Sequence, residues 1–251
     1  PRWRTRLSSA AGCASTGSPP TSTCPPATMM PAPSMRTAAP PAKPIDMNRL
    51  NRTTPLMEAV LARDVDKVKE VLAGDRAMVD ATDRNDVSAL MHAVGLEMTE
   101  VVELLLKRGA RAYMADSSGS TPLIRAAMTG NVGIVRALLR AGGDPRDAQK
   151  DGSMALHFAA AKGHLAVVAE LLDDPGQKVD VAKADGATPL WLAASGGHGD
   201  VVAALAKRGA DVNVTCGGWS AAAAAAMGGH AEAVAALAAA GARLDERDEA
   251  G

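Results

Sequence analysis

The chain has 251 residues, with 27 Lys and Arg against 28 Asp and Glu and a formal net charge of −1. That balance excludes a broadly basic nucleic-acid binder held by counterion release. No charge-free apolar run reaches the roughly 20 residues a membrane-spanning helix needs. Aromatics are only 2% of residues, too few for base-stacking surfaces, and three widely spaced cysteines make neither a disulfide framework nor a zinc site.

Residues 1–47 hold ten of the fifteen prolines, and Leu7 and Ile45 are their only Leu, Ile, Val or Phe. Such a stretch cannot bury enough apolar surface to offset its chain entropy, so disorder is expected over 1–47. Its Arg-, Ser- and Ala-rich, acid-poor composition is also that of an organelle leader. The pairs Pro19-Pro20, Pro25-Pro26 and Pro40-Pro41 would break the amphipathic helix a mitochondrial leader needs. A linker, or sequence upstream of a true start at Met47, is the plainer reading. From Met47 onward, 22 basic and 27 acidic residues give a net charge of −5, and apolar residues recur at helical spacing.

The second segment repeats itself. Thr54-Pro55-Leu56, Ser88-Ala89-Leu90, Thr121-Pro122-Leu123, Met154-Ala155-Leu156, Thr188-Pro189-Leu190 and Ser220-Ala221-Ala222 recur every 32 to 34 residues. Each opens a small-residue helix, which breaks at Gly130-Asn131, Gly163-His164, Gly197-His198 or Gly229-His230. A second apolar helix follows, such as Val101 to Leu106, and ends near Gly109, Gly142, Gly209 or Gly241. The grammar has mechanical sense. A Ser or Thr hydroxyl accepts from orphan N–H groups at a helix start, and proline loses nothing at the first helical position. Glycine permits the left-handed residue that closes the second helix. Stacking then buries a face too apolar to stand alone.

In these motifs the chain resembles the ankyrin repeat family, over about residues 49–247. The resemblance implies an all-α solenoid of stacked helix-turn-helix units with projecting hairpin loops. Repeats are expected near 49–82, 83–115, 116–148, 149–182, 183–214 and 215–247, with 248–251 opening a seventh. The family's T-P-L-H signature is complete nowhere: His157 lacks the Thr and Pro, while Trp191, Ile124 and Met57 stand elsewhere for the His. An extra residue around Asp174-Pro175-Gly176 should reshape that loop. The last repeat is thin in apolar bulk, and its end is expected to fray or to continue in a longer chain.

No catalytic motif survives inspection. Gly218-Trp219-Ser220-Ala221-Ala222 lacks the second glycine of a nucleophile elbow, and Ser220 occupies a helix-cap position. His164, His198 and His230 fall one repeat apart, about 10 Å by helix packing, too far to share one metal ion. The resemblance assigns them hydrogen bonds between loops. Cys216 falls at a finger tip with nothing cationic to activate it. No cofactor, metal, small-molecule substrate, nucleic acid or membrane insertion is expected.

Function should therefore lie on a surface. By resemblance, that surface is the concave strip of finger tips and first helices. Carried over position by position, it gives Arg84, Asn85 and Val87, then Ser117, Ser118, Ser120, Met128 and Thr129. Repeat four adds Lys150, Asp151, Ser153 and Lys162, and the last two repeats add Asp185, Ser195, Trp219 and Met227. Trp219 is the favoured anchor, because exposed tryptophan is enriched among binding hot spots; packing against a neighbouring finger is its structural alternative. The expected role is a non-enzymatic scaffold for a protein partner in the cytosol or nucleus. The alternative is the recognition region of a longer enzyme such as a kinase, ubiquitin-ligase subunit or acyltransferase.

Overall fold

A hydroxyl or polar side chain directly ahead of an apolar run marks where a short helix can begin, and this chain repeats that arrangement. A computed structural model describes residues 53–74, 79–174 and 176–244, all within the unit Asp46–Gly251. The leader 1–47, Pro175 and the segment 248–251 lie outside these described residues. The first pairs are α1 (Pro55–Leu61) with α2 (Val65–Ala73), α3 (Ala89–Gly95) with α4 (Thr99–Lys107), and α5 (Pro122–Thr129) with α6 (Val132–Arg140). Then come α7 (Ala155–Ala161) with α8 (Leu165–Leu172), α9 (Pro189–Ser195) with α10 (Gly199–Lys207), and α11 (Ala221–Met227) with α12 (Ala231–Ala239). Odd-numbered helices pack on odd neighbours and even on even, so the pairs stack in two layers. Hairpin fingers separate the pairs. The best formed joins β1 (Thr215–Cys216) to β2 (Trp219–Ser220), and isolated antiparallel bridges link Thr82 to Ser88 and Ala148 to Met154. The fold is the all-α repeat stack that the sequence period implies.

The caps follow the residue types. Thr54, Ser88, Thr121, Thr188 and Ser220 each accept the N–H three residues on, at 3.1–3.4 Å. Met154 has no such oxygen, and there the bond runs the other way. His157 Nδ1 accepts the Met154 N–H at 3.1 Å, so the ring proton is on Nε2, which donates to the Val181 carbonyl at 2.8 Å. Trp191, at the same position of the next repeat, donates Nε1–H to the Trp219 carbonyl at 3.0 Å. His157 is 1% exposed, and burial pushes its pKa down.

The core comes from both layers. Leu90, Leu123, Ile124, Leu156 and Leu190 from odd helices meet Leu105, Ile134, Leu138, Leu171 and Leu205 from even ones, none more than 1% exposed. Five residues past each cap stands an alanine (Ala59, Ala93, Ala126, Ala159, Ala193, Ala225), and every one is 0% exposed. This column sets how closely odd helices approach; a longer side chain there would overpack the stack. The last pair is thinner, with Leu237 its only large buried side chain. At about 25 cal/mol per Å² of apolar surface, alanine for leucine forgoes a couple of kcal/mol at each site.

Neighbouring repeats also lock through glycine and histidine. His164 and His198 stand ahead of α8 and α10, yet their side chains do not cap those helices. Instead Nε2 of each reaches back to a carbonyl ending the previous odd helix, Met128 O at 3.3 Å and Ala161 O at 3.1 Å. Such terminal carbonyls have no partner within their own helix. The ring lies where a side chain would begin: a Cβ on Gly130 would meet His164 at 2.6 Å, and one on Gly163 would meet His198 at 2.4 Å. His230 is placed likewise against Gly197, at 2.6 Å. In repeat three Asn131 caps α6 through its own Oδ1 instead.

Two stability experiments follow. Gly163→Ala faces both a left-handed backbone (φ +72°) and the His198 ring, whereas Gly142→Ala faces only the backbone strain (φ +90°). Gly142→Ala should cost about 1–2 kcal/mol, and Gly163→Ala measurably more, by urea denaturation; equal losses would mean the ring contact contributes nothing. The second concerns His157. Its folded pKa is depressed, so the unfolded chain takes up the proton first as pH falls below about 6.5, and stability should drop in that window. His157→Ala should lose about 1–3 kcal/mol at neutral pH by stranding two backbone groups. It should also flatten the pH dependence of the denaturation midpoint between neutrality and the carboxylate range.

Candidate partner-binding face

The fingers are joined to one another by backbone. Ser117 N–H donates to Asn85 O at 3.1 Å, Lys150 N–H to Ser118 O at 3.3 Å, and Ala184 N–H to Asp151 O at 2.9 Å. Cys216 Sγ continues the row to Asp185 O at 3.4 Å. Each described finger also closes on itself, as in Gly119 N–H to Asp116 O at 2.9 Å and Gly152 N–H to Gln149 O at 2.9 Å. Because the main chain makes the first three of these bonds, tip side chains there vary without disturbing the ladder, whereas the Cys216 bond depends on its own thiol. Side chains tie the fingers to the odd-helix layer: Arg125 Nη2 bonds Asp116 at 2.9 Å, and His92 Nε2 is 3.2 Å from Asp83. Fingers and odd helices therefore form one face.

Four finger carboxylates, Asp83, Asp116, Asp151 and Asp185, have lowered pKa values. Partial burial works against the Asp83 charge, but N–H groups of Asn85 and Val87 and the His92 ring outweigh it and depress the pKa. Asp116 is lowered in the same way, by the Ser118 hydroxyl, Arg125 and the Ser120 and Ser118 amides acting against burial. At the tips, Ser153 lowers Asp151 and Lys183 lowers Asp185. Cys216 moves in the opposite direction: burial and then the nearby Asp185 charge raise its thiol pKa, which disfavours the nucleophilic thiolate. Among the described residues no group of three or more His, Cys, Asp or Glu is placed to hold a metal ion.

Most of the sequence-derived surface residues lie on this face and are open to solvent. Arg84, Asn85, Ser117, Ser118, Lys150, Asp151, Lys162 and Asp185 are exposed. Met128, Trp219 and Met227 are 42%, 38% and 69% exposed. Thr129 and Ser195 are half-buried, and the Thr129 hydroxyl donates to Ala126 O. Val87, Ser120 and Ser153 need correction: they are buried, at 6%, 4% and 3% exposure, and their side chains offer nothing to a partner. All three directly precede a helix cap, where a short side chain is enclosed; Ala187 at the same position is 1% exposed. Trp219, at the same position ahead of Ser220, reaches out, and Thr53, ahead of Thr54 in the first repeat, is exposed as well.

The family pattern also passed over a row. Four residues past the cap stand Glu58, His92, Arg125, Phe158, Leu192 and Ala224, and seven past it Leu61, Gly95, Met128, Ala161, Ser195 and Met227. Positions three or four apart share a helix face, so counting from each cap would have found the first row once Met128 had been chosen. Leu61, 47% exposed, belongs to the same face. Ser220 does the work of a cap, giving its Oγ to the Ala223 N–H at 3.1 Å.

Comparison with known proteins agrees with this architecture. A family model of three ankyrin repeats matches three times, over residues 39–116, 99–183 and 174–248. The crystal structure of the human ASB11 ankyrin repeat domain aligns with a TM-score of 0.70 at 26% identity, over 79% of this chain and 89% of that one. Human 2-5A-dependent ribonuclease is 35% identical over 75 residues, which are 30% of this chain and 10% of the ribonuclease. The match thus spans only a small part of that relative's length. Ankyrin repeats mark a protein–protein interaction domain. No helix among the described residues is long and apolar enough to cross a membrane. Period, caps, stacked pairs and family match agree, and the chain belongs to the ankyrin repeat family.

Proposed function

We propose that the protein is a non-catalytic adaptor that binds a protein partner on the face formed by its fingers and odd-numbered helices, the concave surface of the family. One observation carries the reading. Of the seven large apolar side chains left exposed among the described residues, four, Leu61, Met128, Trp219 and Met227, lie on this face, while Tyr113, Leu165 and Leu244 fall outside the odd-numbered helices. Aligned exposed apolar groups with polar surroundings mark interaction sites, whereas scattered ones do not. The finger ladder holds them on a connected backbone, so binding orders little of the protein and avoids that entropy loss. A stack of six repeats spaced about 10 Å apart is long enough for a standard interface of about 800 Å² per partner.

A second reading keeps the same surface and changes its setting. The likeness to a ribonuclease of which the matched stretch is only 10% favours repeats that serve as the recognition region of a longer enzyme. Binding chemistry on the face is the same under both readings.

The full chain should capture a partner from cell extract, identified by mass spectrometry. Trp219→Ala combined with Met128→Ala should lose it by about thirtyfold or more, the effect of truncating a hot spot. Lys69→Ala, on the even-helix layer, should leave capture unchanged. Capture that ignores the double variant but fails with Lys69→Ala would move the binding surface to the other layer.

A further inference from the structure

Along the binding face, chemistry changes between the third and fourth repeats. Four residues past the cap, repeats two and three carry His92 and Arg125, each paired with its own finger's aspartate, Asp83 or Asp116. Repeats four and five carry Phe158 and Leu192 there, both half-buried, and their finger positions hold Gln149 and Lys183 instead of carboxylates. The chain's sole phenylalanine and two of its three tryptophans, Trp191 and Trp219, thus fall within repeats four to six. The Trp191 indole bonds the Trp219 main chain at 3.0 Å, fixing α9 to the finger that presents the exposed Trp219 ring.

Two basic side chains accompany these apolar ones. Lys162 follows Phe158 by four residues, one helical turn away on the same side, and Lys150 is at the fourth finger's tip. Both are exposed, and neither has an ion-pair partner among the described residues. The charges around them are engaged: Asp151 accepts from Ser153 Oγ at 2.7 Å, and Lys183 pairs with Asp185 at 2.8 Å. Two unpaired lysines beside an aromatic strip stand out in a segment whose net charge is −5.

We propose that this strip docks a peptide segment of a partner protein in which apolar side chains are flanked by acidic residues. The inference rests on the finger-side face being the binding surface and specifies what that surface selects. Apolar side chains of the segment pack along Phe158, Leu192 and Trp219, and the neighbouring carboxylates pair with Lys150 and Lys162. A basic segment would set like charges against the two lysines and be rejected. Repeats two and three offer Arg84 at the equivalent finger tip but no apolar strip, and their helix charges, His92 and Arg125, are already paired and would have to be desolvated.

The test pans a random peptide display library over the full chain and measures the enriched sequences as synthetic peptides by fluorescence polarisation. Enriched peptides should place Leu, Phe, Met or Trp within a few residues of Asp or Glu. Replacing the peptide acids by Asn or Gln should weaken binding about tenfold, the scale of one close charge pair. Lys150→Gln with Lys162→Gln should weaken the acidic peptide by a similar factor and leave the neutralised peptide unaffected, since coupled groups do not lose their energy twice. Trp219→Ala should weaken both about thirtyfold, with circular dichroism confirming that each variant is folded. Enrichment of basic or acid-free peptides, indifference to the two lysines, displacement by a single-stranded oligonucleotide, or no enrichment overturns the proposal. Peptides that depend on Arg84 and Met128 but not on the lysines would overturn it while leaving the finger-side face as the binding surface. Peptides indifferent to all of these positions would remove both.

Discussion

A helix of seven to nine residues has no independent stability in water, and every helix described here falls within that length. Burial between adjacent repeats is therefore the interaction on which everything else depends. It demands close approach, and two columns of small residues provide it. The alanines from Ala59 to Ala225 let odd helices meet, and Gly130, Gly163 and Gly197 leave room for a ring from the next repeat. The ring contact does more than fill space. It supplies a hydrogen bond to a carbonyl ending the preceding odd helix at Met128 and Ala161. Each repeat completes its neighbour's backbone as well as its core, so stability is shared along the stack in nearest-neighbour steps.

The same dependence explains what was legible in the sequence. Capping hydroxyls, helix-closing glycines and apolar spacing are local chemistry, and they marked the helix pairs directly. Thr121 and Ser220 cap as their types require. What escaped was set by neighbours. Met154 reads as a lost cap, and only the fold shows that His157 replaces it while bonding the next repeat. Trp191 reads as a departure from the family histidine, yet its indole sends an N–H to the following repeat just as His157 does. Burial at the position before the caps of repeats two to five was equally hidden. It encloses Val87, Ser120 and Ser153, which family position alone would place on the surface.

Division of labour between backbone and side chain gives the binding face its freedom. Fingers are held together by main-chain bonds from Asn85 to Asp151, so Arg84, Ser117 and Lys150 contribute nothing that their replacements would take away from the ladder. Helix side chains facing the fingers are less free. His92 and Arg125 hold Asp83 and Asp116. The finger carboxylate is absent where Phe158 and Leu192 stand, replaced by Gln149 and Lys183. Substitution of helix and finger positions together converts a self-satisfied polar surface into one with groups still to be satisfied.

That conversion bears on selectivity more than on strength. A partner meeting repeats two and three must compete with existing ion pairs, and desolvating them without new pairs is unfavourable. A partner meeting repeats four to six finds apolar rings and unpaired lysines, for which burial and pairing are both gains. Stacked helix pairs recur along the whole described length, so helix architecture does not distinguish the two regions. The difference lies in a handful of side chains at equivalent positions. Trp219 shows how far one such position reaches: serine, valine or alanine there stays enclosed, while the indole stands 38% exposed beside α9. In a fold that repeats its scaffold, side-chain size and charge at equivalent positions are what remain to specify a partner.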